Sequence, residues 1–210
     1  MIDTLQSAAD PVRAAQMSAY MRDQFAYLGV ATPQRRALTA GFLKTQKTID
    51  WGFIEQCWDL PEREYQYLAV DLVVKLKRTL APLDVPRLKA LMTSKSWWDT
   101  VDALDSVVGD IAGRYPEMDA VMRSWGVDEN LWVRRAAIDH QLLRKQATNT
   151  WLLEEIIVAN LGQGEFFINK AIGWALRDYS KTNPDWVRDF ISRHRPALAP
   201  LSIKEASKYI

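Results

Sequence analysis

An all-α fold, a curved α-solenoid of stacked helical pairs, is predicted by three observations. The chain repeats at about 34 residues, its apolar positions keep helical spacing throughout, and it lacks the alternating runs with paired turn signals that mark hairpins. Pro82, Pro116 and Pro184 lie at intervals of 34 and 68, with Thr150 in the skipped slot. Upstream of each a polar residue opens a helix: Asp59, Thr93 or Ser94, Asp128, and Gln163 or Gly164. Units of this length bury their apolar faces only against neighbours, so the stack curves and offers a long concave surface. The inner helices of that stack carry Trp98, Asp102, Arg135, Lys170 and Trp174.

Taken in order, a first helix is predicted from about Pro11 to Leu28, ended by Gly29. Thr32-Pro33 reads as an N-cap followed by proline at the first helical position, opening a helix through Lys44. Trp51 to Trp58 is short; Asp59-Leu60-Pro61 opens the next helix, which continues to about Thr79 with Glu62 and Glu64 at its positive end. The pairs then repeat: Pro86–Met92 with a helix from Ser94 or Ser96, Met118–Trp125 with Asn130–Gln146, and Trp151–Asn160 with Glu165–Tyr179. Asp185–Arg193 follows, and Ser202 with Glu205 stands at capping-box spacing for a last helix of one or two turns. The whole of residues 1–210 reads as a single repeat domain.

Composition narrows the function classes. The balance of 27 basic and 26 acidic residues does not advertise a nucleic-acid binder, although a solenoid can segregate bases to one face. No apolar run reaches the ~18 residues of a membrane span, and MIDTLQSAAD lacks the basic-then-apolar order of a secretion signal. A single cysteine, Cys57, reads as a small buried hydrophobe and suits a reducing compartment, so a cytoplasmic protein is expected. Two histidines, His140 and His194, stand far apart with no ligand cluster around them, so no metal is expected. Glycine loops for phosphate and nucleophile elbows are missing, so no cofactor is expected either. Nine tryptophans are the one compositional excess.

Carboxylate chemistry helped by aromatic rings is what remains. In SKSWWDTVD, Trp98 and Asp102 share one helix face, with Asp105 a turn further on. An indole face beside a carboxylate can stabilise the oxocarbenium-like sugar that forms as a glycosidic bond breaks. The competing reading makes Trp97 and Trp98 core fillers and Asp102 a solvated charge. Neighbours on a helix diverge by about 100°, so both tryptophans cannot point inward. In EFFINKAIGWALRDYSK, Lys170, Trp174, Arg177 and Lys181 form a basic stripe around one large ring, with Phe167 on the same side. Such a stripe suits a nucleic-acid backbone, and equally a solvated face. Asp102 and Lys170 hold equivalent repeat positions and Arg135 lies within one residue of that slot; a pair of Arg135 with Asp139 at i+4 is the alternative. Tyr20 on the first helix is explained as well by core packing as by a ligand.

Several ordered blocks, YMRDQFAYLGVATPQRR, WDLPEREYQYLA, TSKSWWDTVD, LWVRRAAI, EFFINKAIGWALRDYSKTNPD and LAPLSIKEASKYI, together span nearly the whole chain. Through them the sequence resembles the DNA alkylation repair glycosylases built from HEAT-like repeats, the AlkD-like family. The resemblance implies excision of N7-alkylguanine and N3-alkyladenine from duplex DNA in base excision repair. It places the catalytic carboxylate at Asp102, cleft-lining rings at Trp98 and Trp174, a phosphate contact at Arg135, and the first-helix tyrosine at Tyr20. It further implies that the base need not be fully flipped into a pocket. Phe167, Lys170, Arg177 and Lys181 complete the expected DNA-contacting set. The alternatives are a non-catalytic binder of distorted or damaged DNA and a protein-interaction scaffold. Asp102 between two tryptophans speaks against the former, and the Lys170–Lys181 stripe against the latter.

Overall fold

Polar caps and prolines decide where the helices begin. The computed structural model describes residues 1–210, all-helical apart from one isolated bridge between Ala26 and Glu62. Two compact units form, Met1–Thr79 and Leu80–Ile210. No helix is long and apolar enough to cross a membrane.

The first unit holds α1 (Ile2–Gln6), α2 (Pro11–Tyr20), α3 (Thr32–Thr45), α4 (Trp51–Asp59) and α5 (Arg63–Lys75). The Asp10 side chain accepts from the Val12 and Arg13 amides at the start of α2, and Asp50 accepts from Phe53 at the start of α4. Leu5, Ile54, Leu68 and Leu72 are fully buried, as is Cys57, whose thiol burial pushes up to about 12. That matches the inert small hydrophobe expected of it. Several boundaries differ from the sequence reading: α5 runs Arg63–Lys75 with Glu62 as N-cap, rather than from Asp59 to about Thr79. Helix α2 stops at Tyr20 rather than Leu28, because Arg22 and Asp23 turn left-handed (φ 58° and 54°) and the Ser18 hydroxyl donates to the Phe25 carbonyl. The buried Glu64 carboxylate then accepts from the Leu28, Gly29 and Val30 amides, so these donors are satisfied from α5 rather than by a helix. Thr32 lies inside α3, with Ala31 as its N-cap, so its hydroxyl caps nothing.

The second unit repeats a helical pair: α6 (Val85–Thr93) with α7 (Trp98–Arg114), α8 (Met118–Gly126) with α9 (Leu131–Asp139), α10 (Thr150–Val158) with α11 (Phe166–Ser180), and α12 (Pro184–His194) with α13 (Pro200–Ala206). The first helix of each pair starts at or just after Pro82, Pro116, Thr150 and Pro184, as the spacing predicted. Asn130, Asn149, Glu165 and Asn183 cap α9, α10, α11 and α12 through their side chains. The second helices line up in a row, α7 on α9, α9 on α11 and α11 on α13. Their facing sides bury Leu104, Val108, Val133, Ala136, Ile168, Ile172 and Leu176. Polar bonds also recur at the repeat spacing: Arg114 Nη2 donates to the Leu80 carbonyl at 2.7 Å, Asn160 Nδ2 to that of Gly126 at 2.7 Å, and the Ser202 hydroxyl to that of Asn169 at 2.7 Å.

Glycine is required where two of these helices touch. A Cβ on Gly109 of α7 would lie 2.2 Å from the His140 carbonyl oxygen at the end of α9, and this backbone atom cannot swing away. Gly109→Ala must therefore push α7 off α9, which we expect to cost more than ~3 kcal/mol. At ~2–4 °C per kcal/mol for a chain of this size, the melting temperature should drop by at least ~6 °C. A drop below ~2 °C in thermal denaturation followed by circular dichroism would show that the two helices are not wedged there.

The last helix corrects a further expectation. Helix α13 begins at Pro200 with Ala199 as N-cap, so Ser202 and Glu205 form no capping box. Both side chains instead tie α13 to α11, Ser202 to the Asn169 carbonyl and Glu205 to Lys170 and Arg177. A Cβ on Gly173 would come within 2.6 Å of the Glu205 Cβ, so the missing side chain there lets α13 settle flush on α11.

Candidate active site

The row of second helices sets one charged side chain per helix at the same repeat slot: Asp102 on α7, Arg135 on α9, Lys170 on α11 and Glu205 on α13. They pair along the row. Arg135 Nε donates to Asp102 Oδ1 at 2.7 Å and Nη2 to Asp102 Oδ2 at 2.9 Å, a two-point clasp, while Nη1 donates to the Phe167 carbonyl at 2.7 Å. The planar guanidinium suits this task, since its fork geometry matches both carboxylate oxygens. Trp174 lies against the same group, its ring centre 5.0 Å from the guanidinium carbon.

Burial is uneven across this pair. Arg135 is 1% exposed, whereas the Asp102 side chain is 24% exposed. The carboxylate thus faces outward from a fully buried clamp. Burial raises the Asp102 pKa above the ordinary aspartate range; the hydrogen bonds and charge of Arg135 pull it back only in part. For Arg135 burial works against the charge, but Asp102, Asp139 and Asp105 outweigh it and the group is held cationic. Arg135, for which the resemblance implies a phosphate contact, turns these donors inward onto Asp102 and the Phe167 carbonyl.

The other predicted residues take several positions. Trp98 lies at the start of α7, four residues before Asp102 and on its side of the helix, partly exposed as is Trp174. Lys170 Nζ donates to Glu205 Oε1 at 2.8 Å and Arg177 Nη1 to Glu205 Oε2 at 2.7 Å, and both flank the Trp174 ring at 5.7 and 6.0 Å. Lys170 and Lys208, both donating to it, hold the Glu205 carboxyl down to about 2. The stripe is therefore a cationic rim around Trp174 with its own internal counter-ion. Lys181 is the more exposed cation, 3.7 Å from Asp178 and over the Tyr209 ring. Phe167 packs edge-on against Trp97 at 5.2 Å and tilted against Trp132 at 4.8 Å, leaving Phe166 the more exposed ring of the two. Tyr20 belongs to the first unit and is 76% exposed at the end of α2, which excludes the core-packing explanation.

Two features were not anticipated in the sequence. Trp97, Trp132 and Phe167 form one ring cluster at the N-terminal ends of α7, α9 and α11. Their equivalent offsets in the repeats could have shown it. Behind Arg135 stand two more carboxylates, Asp105 and Asp139, 3% and 2% exposed. The Asp139–Arg135 pair at i+4 exists, at 3.8 Å, yet it is the weaker contact, since the guanidinium prefers Asp102 across 33 residues of sequence. Three aspartates could in principle bind a cation, but Arg135 already supplies a cation between them. The buried His140 ring is held neutral, its pKa pushed down to about 3 by burial, and takes no part.

Comparisons with known proteins agree with this architecture. A family model described as DNA alkylation repair enzyme matches residues 1–210. Among solved structures, one described as a predicted DNA alkylation repair enzyme from Enterococcus faecalis is 39% identical, with a TM-score of 0.90 and 96% of both chains covered. AlkD2 from Streptococcus mutans is 18% identical at a TM-score of 0.65, covering 94% of this chain and 99% of its own, a likeness of fold. The curated proteins contain no match. Matched from end to end by the family model and sharing the AlkD-like helical-repeat fold, the chain belongs to the DNA alkylation repair enzyme family.

Proposed function

We propose that this protein is a monofunctional DNA glycosylase that releases cationic alkylated purines, N7-alkylguanine and N3-alkyladenine, from duplex DNA. It acts as a cytoplasmic monomer without a cofactor. The observation that carries the reading is Asp102: an outward-facing carboxylate fixed by a buried arginine beside Trp98 and Trp174. Alkylation at N7 or N3 already makes the purine a good leaving group, so no general acid is required. The bond from the anomeric carbon to N9 breaks, its electron pair neutralises the purine, and positive charge develops on the sugar. Asp102 stabilises that charge and accepts a proton from the water that attacks the anomeric carbon, leaving an abasic site and the free base. The Trp98 and Trp174 ring faces flank the developing cation. Tyr20, Phe167, Lys170, Arg177 and Lys181 are the proposed DNA contacts, with Lys170 and Arg177 exchanging part of their bonding to Glu205 for phosphate.

A duplex oligonucleotide carrying one N7-methylguanine tests this directly. Free 7-methylguanine, measured by chromatography, should appear with enzyme at a rate well above spontaneous depurination. DNA binding without base release would instead establish the non-catalytic binder.

A further inference from the structure

We propose that Asp105 and Asp139 are positioning residues for Asp102, acting through Arg135: as neutral carboxyls they leave the guanidinium committed to Asp102, and as anions they draw it away. The inference rests on Asp102 being the working carboxylate. It starts from an imbalance. Oxygens of Asp102, Asp105 and Asp139 all lie within 4.8 Å of one another, and one guanidinium bonds Asp102, lies 3.8 Å from Asp139 and acts on Asp105 through its charge. Asp105 and Asp139 are closed off from solvent, and both Asp139 oxygens lack any hydrogen-bond donor although one is 3.8 Å from Arg135 Nη2. A buried carboxylate in this state keeps its proton or finds a cation. The only cation within reach is the one that holds Asp102.

The charges acting on the pair are confined to this cluster. On Asp139 they are Arg135, from its own helix α9, and Asp102 from α7; on Asp105 they are Asp139, Asp102 and Arg135. Helix α11 presents the Trp174 ring and the Phe167 carbonyl to the guanidinium, while its cations Lys170 and Arg177 are tied to Glu205. Burial first, then mutual repulsion, keeps the Asp105 carboxyl protonated well above the ordinary range; burial does the same for Asp139, against the pull of Arg135. Protons leave the pair to solvent as pH rises through and beyond neutrality. Arg135 then faces carboxylates on both sides, and the two-point clasp on Asp102 loosens.

Two readouts test this. First, carbon-13 carboxyl shifts of aspartate-labelled wild type are followed from pH 5.5 to 8.5. Asp139 should titrate within that window, and the Asp102 carboxyl shift should move with it; in Asp139→Asn the linked movement should vanish. Second, base release from the N7-methylguanine duplex is measured over the same range. Wild type should lose several-fold in rate toward pH 8.5, and Asp139→Asn or Asp105→Asn should flatten that limb while keeping the acid limb set by Asp102. Shifts of both buried carboxyls that are constant from pH 5.5 upward, or an alkaline limb identical in wild type and both variants, would overturn the proposal. If wild type releases no base at any pH, the glycosylase reading fails while the shift titration still decides the coupling.

Discussion

Replacing Asp102 with asparagine is expected to slow release of 7-methylguanine by at least ~10²-fold, the scale on which one preorganised electrostatic partner acts in a transition state, while DNA binding stays within a few-fold of wild type. The asparagine keeps the shape and can still accept from one Arg135 nitrogen, so the fold and the Trp98–Trp174 surroundings survive. What is lost is the negative charge, which matters only as the sugar becomes cationic. Asp102 is clasped but still a quarter exposed, so a sugar can approach its outer side without dismantling the Arg135 clamp. The same geometry fixes the sign of the acid limb. Burial raises the Asp102 pKa, and activity requires the anion. The rate should therefore fall with decreasing pH at a point above the ~3.9 of an ordinary aspartate. Single-turnover base release across pH, with binding measured by fluorescence anisotropy on the same duplex, checks both statements. A variant with more than a tenth of wild-type rate would remove Asp102 from the chemistry.

How far this site was legible in the sequence depends on distance along the chain. Prolines 34 and 68 residues apart, and asparagines just before α9, α10 and α12, act locally, so the repeat and most helix starts could be read directly. Trp98 and Asp102 share a face because a helix obliges them to. Residues whose bonding is chosen by a partner in another repeat were misread or missed. Glu64 captures the Leu28–Val30 amides, 34 to 36 residues upstream, in a stretch expected to be helix; Glu205 looks like a capping residue and is a counter-ion to Lys170, 35 residues away. Arg135, a phosphate contact by the family resemblance, is buried and bonded to Asp102 of the preceding repeat. One repeat length separates each pair. A reading that asks which charges fall in the same slot of adjacent repeats finds Asp102, Arg135, Lys170 and Glu205 in order, and that ordering is what sequence periodicity can offer beyond fold class.

Removing the clamp should damage stability as well as activity. Arg135→Ala leaves Asp105 and Asp139 buried without a cation, and deleting one partner of a buried ion pair costs about 3–5 kcal/mol. That corresponds to a melting temperature lower by roughly 6–20 °C at ~2–4 °C per kcal/mol. The loss should depend on pH in a definite direction. Asp105 and Asp139 have folded-state pKa values raised above their unfolded ones. Their stabilising contribution is complete below the unfolded value and is lost as pH climbs through the folded one. Without Arg135 nothing offsets their repulsion, so the folded values rise further and the deficit against wild type should be larger at pH 8 than at pH 5.5. Glu205 does not confuse this window. Its pKa is held down to about 2, so its contribution is present above the unfolded carboxylate range and is lost only as pH falls toward that value. Adding Asp139→Asn to Arg135→Ala removes one uncompensated charge and should restore several degrees at pH 8 and little at pH 5.5. A deficit equal at both pH values, unmoved by the second substitution, would mean that Arg135 stabilises the protein by packing against Trp174 alone and that the three aspartates do not depend on its charge.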